Sequence, residues 1–395
     1  MNGTASRQGV AQRRWSWLIG PLMPVLTIIV LAGFGVSGQV AWLWTLPVTL
    51  YVGVPLLDVW IGVDTRDVLD SEVMRLEQDG FYRAIVIAFI PTQYAAIAAG
   101  CWLYVHAVAG PWAFIGLVLT VGGLNGLGIN TAHELGHKRG AADRWLAKFA
   151  LAPAAYGHFF VEHNRGHHRH VATAHDPASA RMGESLWRFL PRTIAGSLRS
   201  AWRIEAARMR QQGRPVFGWG NDNLSAWAIS LALITGLVVW LGWDVLPFVV
   251  AQAVYAAYLL ETVNYIEHYG LLRDRRPNGS YEACRPTHSW NSNFLVSNLV
   301  LYHLQRHSDH HANPTRSYQA LRHFDDSPQL PSGYTALILL ALVPPLWFRV
   351  MDAAVARHFG GDVKRANLAP HARARLLRRY AAVIPPSTTI SAPLT

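Results

Sequence analysis

The chain alternates between long apolar runs and polar segments, and its longest apolar runs occur in closely spaced pairs. A helix needs about 20 apolar residues to cross the ~30 Å hydrocarbon core of a bilayer. Six runs reach this length, at residues 17–37, 41–61, 84–106, 111–131, 225–243 and 246–266. The pattern therefore predicts three helical hairpins made of six membrane-spanning helices.

A seventh apolar stretch, Tyr334 to Val350, is short and is interrupted by Pro344 and Pro345, so we expect an interfacial or re-entrant segment. The expected fold class is an all-α integral membrane bundle with a cytoplasmic helical cap. One membrane domain is predicted at residues 17–383. We expect residues 1–16 to be a cytoplasmic N-terminal tail and residues 384–395 to be a flexible tail or linker.

Composition supports a membrane protein, because 51% of the 395 residues are hydrophobic and only 15% are charged. The net charge of +11 would suit a nucleic-acid partner, but its distribution argues against one. None of the 35 Lys and Arg residues lies in the three short hairpin links, at 38–40, 107–110 and 244–245. The positive-inside rule then places both termini and the large polar segments in the cytoplasm of a bacterial-type inner membrane.

Histidine is concentrated in the polar segments, with 15 of the 18 histidines between His133 and His323. Four groups stand out, the first and third at the ends of predicted spans and the second and fourth within polar segments. They are HELGHK (133–138), EHNRGHHRHVAT (162–173), NYIEHYG (264–270) and LQRHSDHH (304–311). The only cysteines, Cys101 and Cys284, form no pair, so a sulfur-ligated redox centre would have to belong to a partner.

Helical spacing lets these histidines converge on metal ions. Residues four apart share a helix face, so His133 and His137 can bind one ion. On the same reasoning His163 and His167 form a second pair, and His168, about 100° further round, addresses a neighbouring ion. Nine imidazoles would overfill one ion, which favours two metals. The candidate ligands are His133, His137, His163, His167, His168, His268, His307, His310 and His311.

Two other functions fit part of this pattern. HELGH matches the HExxH motif of zinc metalloproteases, with Glu134 as the general base, but it leaves seven histidines in three groups unexplained. A metal transporter would place ionisable ligands midway along its spans, where these spans are nearly uncharged.

Metal-bound imidazole usually donates its second ring N–H to an outer partner. Six carboxylates and one histidine stand close enough in sequence to play this supporting part. They are Glu134, Glu162, Asp176, Glu261, Glu267, Asp309 and His303.

The four histidine groups, with DPASARMGES (176–185), HSWNSN (288–293) and the extended LQRHSDHHANPTRSYQ (304–319), resemble blocks of the membrane-bound alkane 1-monooxygenases. These alkane ω-hydroxylases belong to the histidine-rich superfamily of integral-membrane desaturases and hydroxylases. The HYG segment (268–270) separates them from acyl desaturases, and a fatty acyl desaturase or hydroxylase remains the alternative.

This resemblance implies two iron ions per chain, O₂ as co-substrate, and conversion of medium- to long-chain n-alkanes to 1-alkanols. It also implies electrons from rubredoxin, separate or fused, supplied by a rubredoxin reductase. The family's ligand positions carry over to the same nine histidines that the spacing selects. No catalytic residue beyond the metal centre is implied.

An alkane substrate and an acidic electron carrier suggest two further sets of residues. A helical stripe of the second span that runs toward the histidines would wall an apolar tunnel. It comprises Leu46, Leu50, Val54, Leu57 and Ile61, and Trp60 lies beside it. Basic residues beside the histidine groups would dock the carrier, and they are Lys138, Arg139, Arg165, Arg169, Arg306 and Arg322.

Overall fold

All six predicted spans form helices in the structure, a computed structural model that describes residues 14–381. The helices long and apolar enough to cross a membrane are Arg14–Ser37, Ala41–Ile61, Gly80–His106, Pro111–Gly136, Asp222–Leu241 and Trp243–His268. We call them the first to sixth spans. The predicted tails lie largely outside the described residues. The predicted fold class, an all-α membrane bundle, is confirmed.

Shorter helices fill the polar segments, and within residues 14–381 the only extended pairings are isolated bridges. The longest of these helices is Leu186–Gln211. The others of at least six residues are Asp70–Gln78, Ala141–Leu151, Leu295–Val300, His307–Ala312, Tyr334–Ala341, Ala353–His358 and Arg373–Ala381. Residues 159–170 form one further helical stretch, whose centre, Glu162–His167, is a π-helix. The second span also contains a π-helical turn, Thr49–Gly53.

The fourth span is the centre of the bundle, since it packs against the first, second, third and sixth spans. Its most apolar window is 61% buried, whereas that of the second span is only 17% buried. The hairpins run antiparallel, so the second, fourth and sixth spans all end where the polar segments are. We call this the polar end of the bundle.

The fourth and fifth apolar runs differ from their predicted limits. The fourth span continues from residue 131 to Gly136, because the polar HELG sequence remains helical and is largely buried beneath the polar segments. The fifth begins at Asp222 because the Asn221 side chain accepts hydrogen bonds from the backbone N–H groups of Asn223 and Leu224, an N-cap. At residues 334–350, the helix Tyr334–Ala341 stops short of Pro344.

A buried polar network joins the three most enclosed spans. Gln93 of the third span donates to Asn125 Oδ1 of the fourth at 2.9 Å, and Asn125 donates to Gln252 Oε1 of the sixth at 2.6 Å. Gln252 in turn donates to the Pro153 carbonyl at 2.8 Å. Because lipid offers no competing partners, such interhelical hydrogen bonds stabilise a membrane bundle and fix its register.

Glycine allows the fourth and sixth spans to approach closely. A Cβ at Gly122 would lie 2.8 Å from the Gln252 carbonyl oxygen, a backbone atom that side-chain rotation cannot move. Small residues have this function at many transmembrane helix interfaces.

We therefore expect Gly122→Ala to destabilise the bundle by about 1–3 kcal/mol, the usual cost of overpacking. Thermal unfolding in detergent micelles measures the effect. Gly236→Ala is the matched control, because Gly236 lies on the exposed face of the fifth span and nothing is within 4 Å of a Cβ built there. Equal unfolding temperatures for the two variants would show that the Gly122 contact does not limit packing.

Candidate metal centre

Four segments bring nine histidines together at the polar end. His133 and His137 lie at the end of the fourth span, and His268 is the last residue of the sixth. The 159–170 helix and the short helix His307–Ala312 supply the other six. The nine rings form two groups, in each of which the ligand atoms lie within 4.8 Å of one another. The groups adjoin, since the His168 and His311 ring centroids are 4.5 Å apart.

The first group has five histidines: His133, His137, His163, His168 and His310. Their Nε2 atoms form a series of short contacts. His137 to His163 is 3.1 Å, His163 to His168 is 3.0 Å, His168 to His310 is 3.0 Å, and His310 to His133 is 2.9 Å. Ligand atoms at right angles around one ion, each bonded at about 2.1 Å, would be roughly 3.0 Å apart. The nitrogens therefore have the spacing of a shared metal ion.

Hydrogen bonding alone cannot satisfy this arrangement. A neutral Nε2 atom carries either one hydrogen or one lone pair, so it can take part in one N–H···N bond. His163, His168 and His310 each make two such contacts through Nε2. A cation that accepts all five lone pairs removes the conflict, so the donor set fits a metal.

The second group has four histidines: His167, His268, His307 and His311. His307 Nε2 lies 3.1 Å from His268 Nε2 and 2.9 Å from His311 Nε2. His167 Nε2 is buried and has no hydrogen-bond partner in the described part of the chain. This group therefore also presents imidazole nitrogens that only a cation would satisfy.

The grouping of the second histidine motif differs from the α-helical prediction. His163 pairs with His168 in the first group, whereas His167 belongs to the second. The pairing of His163 with His167 was wrong because Glu162–His167 is a π-helix. In a π-helix the bonding pattern is i to i+5, so residues five apart share a face. One helix still serves both groups, as the sequence predicted.

Burial favours the neutral form of most of these imidazoles. Burial first, and then neighbouring imidazoles, holds the pKa values of His137, His163 and His310 well below the ordinary range. The same causes lower the pKa values of His168, His307 and His311. A neutral imidazole keeps the lone pair that a metal requires. The site is therefore prepared for a cation at neutral pH.

Asp176 orients His167. Its Oδ2 atom lies 2.9 Å from His167 Nδ1, and Ser179 Oγ donates to the same oxygen at 2.6 Å. Burial opposes charge on both residues, but their attraction outweighs it, raising the pKa of His167 and lowering the pKa of Asp176 to about 2. The contact leaves His167 Nε2 directed at the second group, the arrangement expected of an outer partner of a metal ligand.

The other predicted supporting residues have different partners. Glu134 pairs with Lys138 at 2.6 Å, and Asp309 pairs with Arg316 at 2.6 Å. Glu261 accepts hydrogen bonds from the Tyr156 and Thr193 hydroxyls, both at 2.7 Å. These three carboxylates do not hydrogen-bond to an imidazole in the described chain, so those predictions were wrong.

Three predicted supporting residues remain. Burial raises the pKa of Glu162 to about 7, and no ring N–H bond to its carboxylate is found in residues 14–381. His303 Nδ1 lies 3.1 Å from the Tyr318 carbonyl oxygen and outside both groups. Glu267 contacts His307, but at Nε2, which is the ring nitrogen that faces the group.

The pairing of Glu134 with Lys138 also bears on the protease hypothesis. A zincin needs the glutamate of HExxH free to act as a base beside a single metal. Here His133 and His137 are part of a five-histidine group, and Glu134 is held by an ammonium. The arrangement does not support peptide hydrolysis.

An apolar cavity ends at the metal groups. His133, His163 and His307 lie in its wall, so it reaches both groups. The second, fourth and sixth spans supply most of the remaining wall, including Leu50 and Leu259. We call it the inner cavity.

A second apolar cavity, the outer cavity, lies between the first, second and fourth spans. The two cavities share wall residues, among them Leu50 and Tyr51. Tyr51 was not predicted from the sequence. It belongs to the π-helical turn of the second span, and its hydroxyl is 2.6 Å from that of Tyr255 in the sixth span.

Four of the six predicted tunnel residues line these cavities. Leu46, Leu50, Val54 and Leu57 lie in the wall of the outer cavity, and Leu50 also reaches the inner one. Trp60 and Ile61 line neither, and their side chains are 81% and 49% exposed. Their place in the predicted tunnel therefore stays a prediction.

The basic residues predicted to dock a carrier divide into three kinds. Arg139 and Arg169 are exposed next to ligands. Lys138, Arg165 and Arg322 are partly buried. They form ion pairs with Glu134, Glu205 and Asp70, respectively. Arg306 is only 1% exposed and donates to the Leu321 and Asp64 carbonyls, so it cannot form part of a docking surface.

Comparison with known proteins places this geometry in context. The profile of the fatty acid desaturase family matches residues 109–341. An alkane 1-monooxygenase of Acinetobacter baylyi is 43% identical over 383 residues, which are 96% of this chain and 94% of that protein. Alkane 1-monooxygenase 1 of Alcanivorax borkumensis is 43% identical over 365 residues, 92% of this chain and 90% of that protein. The xylene/toluene monooxygenase hydroxylase component XylM of Pseudomonas putida is 28% identical over 344 residues, 84% of this chain and 86% of that protein.

Asp176→Asn should weaken metal binding at the four-histidine group by about 10–100-fold, because the carboxylate that orients His167 loses its charge. Equilibrium dialysis of the purified protein against Co²⁺, with metal determined by mass spectrometry, measures the loss. Asp274→Asn is the control, since that carboxylate is 58% exposed and pairs with Arg365. Identical Co²⁺ binding by the wild type and the Asp176 variant would remove Asp176 from the site.

Proposed function

This chain belongs to the alkane 1-monooxygenase family, and from that premise we propose that it hydroxylates the terminal methyl group of medium- to long-chain n-alkanes. The observation that carries the proposal is the inner cavity, whose apolar walls end at histidines of both metal groups. An alkane has no polar group to recognise. A fitted apolar cavity that directs one end of the chain at the metals is therefore the form of site it requires.

The cofactor proposed is a pair of iron ions, one in each histidine group. Imidazole nitrogen suits iron, and two separate donor groups suit two ions. When bound, the irons would supply reduction of O₂ and an oxidant strong enough to attack a terminal C–H bond. The overall balance is R–CH₃ + O₂ + 2e⁻ + 2H⁺ → R–CH₂OH + H₂O.

The protein itself contributes position and exclusion of water. Leu50, Leu259 and Ile338 line the inner cavity and offer an alkane only apolar contacts. A chain held lengthwise presents its terminal methyl group to the metals, which favours the primary alcohol. The apolar walls also exclude water, which limits side reactions of reactive species at the metals.

The electrons are proposed to come from rubredoxin, separate or fused, reduced by a rubredoxin reductase. Arg139 and Arg169 define the proposed docking face, because both are exposed and each lies within two residues of a metal-group histidine, His137 and His168. Positive side chains there would attract an acidic carrier.

The chain is a multi-pass membrane protein, and we propose the bacterial inner membrane with the polar end toward the cytoplasm. The support is the absence of Lys and Arg from the short hairpin links. A cytoplasmic polar end would also place both metal groups on the side where a soluble electron carrier is reduced.

The direct test of the function uses the full chain with two irons, n-decane, ¹⁸O₂, rubredoxin, its reductase and NADH. We expect 1-decanol that carries one ¹⁸O atom per molecule, formed only when every component is present. His268→Ala should abolish product while the helical content measured by circular dichroism remains. An alkene product, or oxidation of a fatty acyl substrate in preference to the alkane, would instead favour the desaturase alternative.

Chain-length preference should depend on Leu50, which lines both cavities. Leu50→Ala enlarges the passage between them and should admit longer alkanes, whereas Leu50→Trp should favour shorter ones. The shift should be graded, because a hydrophobic pocket discriminates one methylene by only ~1–3 kcal/mol. Product profiles from mixed alkanes measure it. The same changes at Val52, which is 51% exposed on the same span, should leave the profile unaltered; parallel shifts at both positions would exclude a specific role for Leu50.

Electron delivery should depend on the docking face. The double variant Arg139→Glu, Arg169→Glu should raise KM for rubredoxin about 10-fold, equivalent to ~1.4 kcal/mol, with kcat nearly constant. Added salt should reduce the difference from the wild type. The charge-matched control is Arg210→Glu, Arg214→Glu, two exposed residues at and just beyond the end of the Leu186–Gln211 helix. Equal increases in KM for both double variants would indicate a general charge effect.

A further inference from the structure

We propose that the outer face of the Leu186–Gln211 helix lies at the boundary between acyl chains and head groups and binds anionic phospholipids. Its apolar side chains would contact the acyl chains, and its arginines would bind the phosphate groups. The inference goes beyond the proposed reaction, since it requires only that the chain spans a membrane. We call this surface the lipid-binding face, and it comprises Trp187, Arg188, Ile194, Leu198, Arg199 and Arg203.

Three apolar residues form a stripe along the outer side of this helix. Trp187, Ile194 and Leu198 are exposed, whereas Phe189 and Ala201 of the same helix are fully buried against the bundle. Residues spaced seven and four apart lie on one face of an α-helix, so the three exposed side chains are neighbours. A contiguous exposed apolar surface indicates contact with lipid or with another protein surface.

Three arginines lie along one edge of the apolar stripe. Arg188 and Arg199 each directly follow a stripe residue, so both are turned about 100° further round the helix, to the same side. Arg203 is one turn beyond Arg199 on that side. All three are exposed, and within residues 14–381 none forms an ion pair, whereas Arg192 of the same helix pairs with Glu184 at 2.8 Å. The edge therefore presents three guanidinium groups, whose fork of N–H donors suits phosphate oxygens.

Contacts with the bundle place the helix at the depth where the spans end. The Thr193 hydroxyl donates to Glu261 of the sixth span at 2.7 Å. Asn223, the second residue of the fifth span, donates through its side chain to the Ala201 carbonyl at 3.0 Å. Glu261 precedes the end of its span, His268, by only about 10 Å at 1.5 Å per residue. The helix thus crosses the outside of two spans at the edge of their apolar runs, where acyl chains meet head groups.

A second apolar segment adjoins the stripe. The Trp187 indole donates to the Leu342 carbonyl at 3.2 Å, which holds the start of the helix beside residues 334–347. In that segment Leu339, Val343 and Leu346 are also exposed. Two segments that are far apart in sequence therefore present exposed apolar side chains next to each other. The sequence-based prediction of an interfacial or re-entrant segment at 334–350 agrees with this arrangement.

Lipid fits the lipid-binding face better than a protein partner does. A helix with apolar side chains on one face and basic side chains beside them is the form that binds at a bilayer surface. The arrangement matches the two parts of an anionic phospholipid, a negative phosphate next to acyl chains. The bilayer already surrounds the spans that the helix crosses, so it reaches this face directly. A second copy of the chain packed face to face would instead bring like charges together.

The position of the face is tested by bimane fluorescence of the full chain in nanodiscs of phosphatidylcholine and phosphatidylglycerol. Bimane is attached to Ile194→Cys or Leu198→Cys, with Ser280→Cys in an exposed polar loop as the control. Cys284 is changed to serine, and Cys101 is fully buried. We expect doxyl-labelled lipid to quench bimane at 194 and 198 about 3-fold more than at 280, because an interfacial helix buries its apolar face among acyl chains. Iodide in the water should give the reverse order.

Lipid selectivity is tested by native mass spectrometry of the chain in detergent, titrated with phosphatidylglycerol or phosphatidylcholine. The test variant changes three arginines: Arg188→Gln, Arg199→Gln and Arg203→Gln. The charge-matched control changes three exposed basic residues of other segments: Arg276→Gln, Arg357→Gln and Lys364→Gln. The wild type and the control should bind phosphatidylglycerol about 5-fold more tightly than phosphatidylcholine, and the ratio should fall towards equality in the test variant. Circular dichroism should report the same helical content in all three proteins.

Three results would overturn the inference. Equal quenching by iodide at positions 194, 198 and 280 would place the face in water. Protection of 194 and 198 from both quenchers would show that a protein surface, such as a second copy of the chain, covers it. An unchanged lipid ratio in the test variant would exclude the arginines as phosphate-binding groups and, with them, the preference for anionic lipid. None of these results bears on alkane hydroxylation, so the proposed function would stand.

Discussion

Nine imidazole rings are held with their nitrogen atoms facing one another, and the short contacts between those atoms cannot all be satisfied without a cation between them. The rest of the molecule keeps the rings in that position. The Gln93, Asn125 and Gln252 network fixes the relative register of the third, fourth and sixth spans, two of which end in metal-group histidines. The close approach at Gly122 brings the fourth and sixth spans together. Packing energy of the bundle thus maintains a site whose polar atoms would otherwise separate.

Hydrophobic runs predicted the six spans well, because a bilayer forces any spanning segment to be both apolar and helical. The same constraint explains why the histidines are found at span ends or in the polar segments, outside the middle of the spans. Sequence spacing also selected the nine histidines that the structure assembles, but it divided His163, His167 and His168 incorrectly. The prediction from residue spacing assumed an α-helix, and the sequence EHNRGHH does not indicate a π-helix. The π-helix places His168 on the same face as His163. The π-helix has about one residue more per turn than an α-helix, and this local difference changes which histidines belong to the same group.

Partners of charged side chains were the least predictable part. Arg306 was expected on a docking surface, yet it is buried against the Asp64 carbonyl, a residue 242 positions away in sequence. Glu134 stands next to a ligand but pairs with Lys138, whereas Glu267 reaches the metal side of His307. These outcomes depend on tertiary packing, which sequence proximity does not encode.

The position of the outer cavity bears on how the alkane reaches the site. Its wall includes Thr49 and Leu57, which are also exposed on the surface of the bundle, so the cavity lies near the lipid-facing side. An alkane dissolves in hydrocarbon far more readily than in water. For a site fed from this side, the relevant concentration is the mole fraction of alkane among the acyl chains. Saturation would then follow the amount of membrane as well as the amount of alkane, and the low aqueous solubility of long alkanes would not limit turnover.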